Sequence, residues 1–84
     1  MHEYSIVASL VERVEQVAAT HPGATVRRVH VRIGELAGVE LTLLRTAYET
    51  FRERTVCDAA ELALDVVAGD DMTLMRVELE VPDV

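Results

Sequence analysis

Aromatic side chains are scarce in this sequence, which has no tryptophan, one phenylalanine and two tyrosines. Any core must therefore be packed from Val, Leu, Ile and Ala. A single cysteine, Cys57, excludes an internal disulfide and a cysteine zinc cluster. Basic residues are outnumbered by acidic ones, eight to fifteen, for a net charge of −7. That balance argues against nucleic acid or an anionic membrane as partner, since both require a basic footprint. It mildly favours cations, although an acidic surface also simply keeps a small protein soluble. No apolar run approaches the ~18 residues that span a bilayer. The start has no basic segment followed by an apolar stretch, so it does not read as a signal peptide, and the cytoplasm is the expected location.

What is present is ample for one core. Half of the 84 residues are apolar, and the chain reads as a single domain over residues 1–84. Ile6, Leu10, Val14 and Ala18 recur every four residues and Val7, Val11 and Val17 widen the stripe, which predicts a first helix. Pro22 and Gly23 in THPGAT stop it. In TVRRVHVRIG, Val29, Val31 and Ile33 alternate with Arg28, His30 and Arg32, the pattern of a strand with one buried and one wet face. GELAGVELTLLRTAYETFRER reads as a turn and a second helix with Leu43, Leu44, Ala47, Tyr48 and Phe51 as its apolar stripe. Two strands follow, ELALDVV and MTLMRVELEV. In the second, Met75, Val77, Leu79 and Val81 are expected on one face and Leu74, Arg76, Glu78 and Glu80 on the other. The link AGDD near 68–71, with Gly69 available for positive φ, predicts a tight antiparallel hairpin between these strands. The fold class is α+β, in the order α-β-α-β-β, with two helices on one face of a three-stranded sheet. The other face carries Arg28, His30 and Arg32 against Asp65, Glu78 and Glu80, a setting for individually small cross-strand ion pairs.

The start MHEYSIVASLVERVE, the centre VRRVHVRIGELAGVE and the stretch RTVCDAAELALDVV resemble the HypA/HybF family of nickel-insertion proteins for [NiFe]-hydrogenase maturation. The resemblance lies in an M-H-E start, a V-x-V-x-x-G-x-L-x-x-V-[DE] centre and a T-x-x-x-G-A-x-L-x-[IV] strand, with Ala59 standing where the family usually has glycine. In the family, the strand matching ELALDVV leads into a zinc domain with two C-x-x-C pairs before a final strand returns. Those cysteines are missing here. The chain therefore resembles the nickel-binding domain alone, and no zinc is expected.

Nickel(II) with strong nitrogen donors favours a square-planar site. The Met1 amine, the His2 amide and His2 Nδ1 form two fused chelate rings, provided that Met1 is unblocked. A fourth donor comes from the Glu3 amide or from elsewhere in the fold. The resemblance implies His2 as anchor, with Glu3 and Glu40 as supporting groups. Each acidic residue also has a plainer explanation. Glu3 complements the positive end of the first helix and Glu40 begins the second. His30 between two arginines reads as part of a solvated face, His21 as a surface residue beside a turn, and Met72 and Met75 as core and core-edge residues. Nothing forms a nucleophile–base–orienter set or a phosphate-cradling glycine loop, so no enzyme is expected. The implied function is a metallochaperone that delivers Ni(II) to a HypB-like GTPase and a hydrogenase large subunit, with a homo-oligomer possible. The alternative is an adaptor that binds no metal and has kept the fold after losing the zinc domain.

Overall fold

A computed structural model describes residues 3–82. The elements are α1 (Glu3–Ala19), β1 (Thr25–Gly34), α2 (Leu41–Phe51), β2 (Glu61–Val67) and β3 (Met72–Glu80). They form the expected α-β-α-β-β succession. α1 packs against β1, β3 and α2, and its Val7, Leu10, Val11 and Val14 are buried as the four-residue spacing requires. No described helix is long and apolar enough to cross a membrane.

The sheet departs from expectation. Its strand order is β2-β1-β3, with β1 parallel to β2 and antiparallel to β3. β2 and β3 are not hairpin partners. They lie on opposite edges, and residues 68–71 carry the chain across the end of β1. A parallel neighbour needs a crossover, which α2 and residues 52–60 supply. Alternation and a central glycine fit a hairpin and an edge-to-edge crossing equally well, so the local pattern could not separate them. What separates them is that β1 holds the strand residues with least exposure (Val29, Val31 and Ile33), and the centre of the sheet is where such residues are covered.

The crossing is tight. The Gly34 N–H donates to the Asp71 carbonyl, Glu35 N–H to Val67 and Leu36 N–H to Gly69. Gly69 has φ 121°, a conformation that L side chains rarely adopt. A Cβ on Gly34 would lie 2.3 Å from the Gly69 carbonyl oxygen.

Across the inner face, rows of side chains line up as Leu62–Val29–Val77 and Leu64–Val31–Leu74. Two register shifts interrupt the β1–β3 ladder, one between Val26 and Arg28 and one between His30 and Val31. The first lets Val26 turn inward while Arg27 and Arg28 both meet water. The second leaves Met75 outside the ladder and 46% exposed, and it puts Leu74 against the core. Strict alternation had assigned those two residues the other way round. An extra residue on one strand reverses the facing of everything beyond it, which a period of two cannot anticipate. In α2, Leu44, Ala47 and Tyr48 are buried, but Leu43 is 55% exposed and Phe51 is partly exposed, so the buried stripe is narrower than predicted.

Replacing Gly34 with alanine should lower stability by about 3 kcal/mol or more, because a backbone carbonyl cannot swing away as a side chain would. Gly38→Ala has open space around it and only left-handed strain to bear, about 1–2 kcal/mol. Urea midpoints of both variants test this, and equal losses would contradict the crossing geometry.

Candidate metal-binding site

Met1 and His2, the principal nickel donors expected from the sequence, lie outside the described residues. The two supporting residues are described, and the fold brings them together. Glu3 opens α1 and Glu40 caps α2. The Glu40 N–H donates to Glu3 Oε2 at 3.2 Å. The Glu40 side chain turns the other way: its Oε2 accepts from the Leu43 N–H at 2.7 Å, closing the first turn of α2. The N-termini of both helices thus meet at one place, where the acidic side chains oppose the partial positive charge of the helix ends. A cavity of about 550 Å³ opens alongside, lined by Ser5, Ile6 and Ser9 of α1, by Ala37 and Val39, and by Asp70 and Asp71 of the crossing.

The capping role of Glu40 was not legible in advance. Glutamate is not among the favoured N-cap residues, Ser, Thr, Asp and Asn, so GVELTLL carries no strong cap signal. The backbone N–H that donates to Glu3 leaves no trace in a sequence at all.

Among the described residues, no group of three or more His, Cys, Asp or Glu side chains is placed to hold a metal ion. His30 lies on the outer face of the sheet, where its Nε2 is hydrogen-bonded to Glu78, with Arg28 and Arg76 close to the same carboxylate. Cations surround it, which suits an ion-pair lattice better than a metal. Arg28–Glu61 and Arg32–Asp65 extend that lattice to β2, and Arg27–Glu80 extends it along β3. These exposed pairs are individually weak. His21 sits on the turn after α1 with its Nδ1 near Thr20 Oγ1 and the Val17 carbonyl. Cys57 is fully buried next to Tyr48, and burial raises the thiol above its ordinary pKa, so a nucleophilic or metal-binding thiolate is disfavoured. Burial likewise raises the Tyr48 phenol, whose hydroxyl donates to the Ala60 carbonyl at 2.8 Å. Met72 is half-buried against the core as expected, whereas Met75 faces outward.

The hydrogen bond from His30, with Arg28 and Arg76 nearby, holds the Glu78 carboxyl below the usual carboxylate range. A depressed folded value contributes stability that is complete above the unfolded pKa and is lost as pH falls through the lowered one. The stability gap between wild type and Glu78→Gln should therefore be present at pH 5 and shrink below about pH 4, around the carboxylate reference. Urea melts across that range check it; a gap that persists to the acid end would refute it.

Comparison with known proteins converges on one group. The family model described as hydrogenase/urease nickel incorporation, metallochaperone, hypA matches residues 1–72. The hydrogenase maturation factor HypA of Shewanella baltica strain OS185 is 44% identical over 66 residues, covering 79% of this chain and 56% of the relative. The chain thus spans about half the length of such curated relatives. HypA of Shewanella sp. strain MR-7 is 33% identical over 116 residues, covering 99% of this chain and 98% of its own. That alignment is longer than the 84 residues here, so the relative carries additional residues for which this chain has no counterpart. Among solved structures, the solution structure of the Ni metallochaperone HypA from Helicobacter pylori superposes with a TM-score of 0.85 at 26% identity, covering 98% of this chain and all of that one.

Proposed function

This chain belongs to the HypA family of nickel-incorporation proteins, and on that premise we propose that it carries nickel(II) as cargo at its N-terminus and hands it to a hydrogenase-maturation partner. Met1 and His2 supply the nitrogen donors, with Glu3 and Glu40 as supporting groups. The observation that carries this reading is the hydrogen bond from the Glu40 amide to the Glu3 carboxylate. It ties the residue after His2 to the body of the fold, so the start of the chain is connected to a rigid element. Residues 1–84 then form one nickel-binding domain, with the crossing at 68–71 in place of the longer zinc-bearing segment of the family. The partners fitting this role are a HypB-like GTPase and the large subunit of a [NiFe]-hydrogenase, in the cytoplasm. A carrier site needs to release its metal, and a site built from donors at the chain start suits release. The role is delivery and not catalysis.

Titration of untagged protein with nickel(II), followed by calorimetry and by the d–d absorption of square-planar nickel, tests the proposal. The expected result is one nickel per chain with little zinc binding, and loss of binding in His2→Ala. Binding must displace protons from the imidazole and the terminal amine, whose reference pKa values are about 6.5 and 7.7–8.0, so affinity should fall steeply between about pH 7.5 and 6. A flat profile over that range would move the site to carboxylates such as Glu35 and Glu40, and a preference for zinc would overturn the assignment.

A further inference from the structure

We propose that the groove between α1 and the crossing at 68–71 is a self-association surface, whose occupant is a second copy of this chain. Three observations meet there. The first is an apolar floor left open. Ile6, Ala37, Val39, Met72 and Leu74 are covered by the core only in part, and all five open into the cavity of about 550 Å³. The second is Leu36, which is 75% exposed and directly precedes Ala37 of that floor. A single exposed leucine is ordinary, but this one stands on fixed backbone. The Glu35 N–H donates to the Val67 carbonyl at 2.8 Å, the Leu36 N–H to Gly69 at 2.8 Å and the Ala37 N–H to Gly34 at 2.9 Å. A side chain displayed on rigid backbone loses less freedom when it docks. The third observation is charge. Arg13 lies on the α1 wall of the groove, and Asp70 and Asp71 lie on the crossing wall. All three are exposed, and none makes an ion pair among the described residues. On the outer face of the sheet, by contrast, Arg27, Arg28 and Arg32 each have a carboxylate partner.

These features select the occupant. A basic wall and an acidic wall on either side of an apolar floor make a surface complementary to itself. A two-fold axis along the groove lays the α1 wall of each copy over the crossing wall of the other. Arg13 then meets Asp70 and Asp71 twice, and each Leu36 falls over the other copy's floor. Such an isologous contact closes as a dimer and leaves no face for further growth. The charges set the register, because exposed pairs add little affinity; removing Leu36 and the floor from water supplies the attraction. The face is small and each copy carries a net charge of −7. The dimer therefore belongs to the weak class, below about 1,200 Å² of buried surface, with a Kd of roughly 0.1–1 mM. Nickel takes no part in it, so this inference goes beyond the carrier reading and stands or falls apart from it.

Sedimentation equilibrium of untagged, metal-free protein from about 10 μM to 1 mM should show monomer passing into dimer. Over the same range, the amide resonances of Leu36, Ala37 and Asp71 in nitrogen-labelled protein should move, while that of His30 on the outer face of the sheet stays in place. Leu36→Glu, at an exposed position, should keep the wild-type urea midpoint and weaken the dimer at least about tenfold. Arg13→Glu and the double variant Asp70→Arg/Asp71→Arg should each weaken self-association about threefold or more, since like charges then face each other. An equimolar mixture of these two should dimerise as well as wild type or better, because each reversed wall meets the opposite charge on the other molecule. Wild type that stays monomeric throughout the range overturns the proposal and leaves the groove to another occupant. A dimer untouched by Leu36→Glu overturns it too, as do two charge variants that remain monomeric when mixed.

Discussion

The arrangement of this sheet depends on a contact between two backbones. Where β1 ends, residues 68–71 pass so close above Gly34 that a methyl group there would overlap the Gly69 carbonyl. Because that space is empty of side chain, the chain can leave β2 at one edge and enter β3 at the other without a longer detour. Two hydrogen bonds to the crossing, from Gly34 to Asp71 and from Leu36 to Gly69, and a third from Glu35 to Val67 at the end of β2 make the close approach favourable as well as possible. Were the passage closed, β3 would have to pair elsewhere, and the row that seats Val29 between Leu62 and Val77 would not assemble. The inner face of the sheet, against which α1 packs, is thus set by a residue that contributes no apolar surface of its own.

The elements themselves were largely readable from periodicity. The stripe of α1, the alternation of β1 and the stops at THPGAT and Gly34 each follow from a spacing that the core enforces, and the described boundaries fall where those spacings end. Strand partnership was not readable, because it is decided by which strand covers most apolar area in three dimensions. Met75 shows the second blind spot: an irregularity beside Val31 reverses the facing of one stretch of β3, and no residue there announces it.

For the candidate site, the sequence brought forward Glu3 and Glu40 through a family pattern and offered a plainer explanation for each. The structure supplies a relation between them that neither explanation contained. One acidic side chain accepts a hydrogen bond from the main chain of the other, and the second caps its own helix. Side-chain identities are visible in a sequence, but a main-chain donor becomes specific only when the fold aims it. Histidine 30 illustrates the reverse case, in which a residue type suggestive of metal is placed among arginines and a carboxylate and becomes part of a charged lattice.

The absence of a hairpin has a kinetic consequence. Among the described residues, every strand pair joins positions far apart along the chain: Arg28 meets Glu61, and Thr25 meets Glu80. No two strands can zip together from a local turn, so loop closure must be completed before any pairing is rewarded. The helices, whose hydrogen bonds are local, can form much earlier. During synthesis, β1 stays without its antiparallel neighbour until the last strand has emerged. The sheet is then completed in one late, cooperative event, with the entropy of two long loops as its barrier.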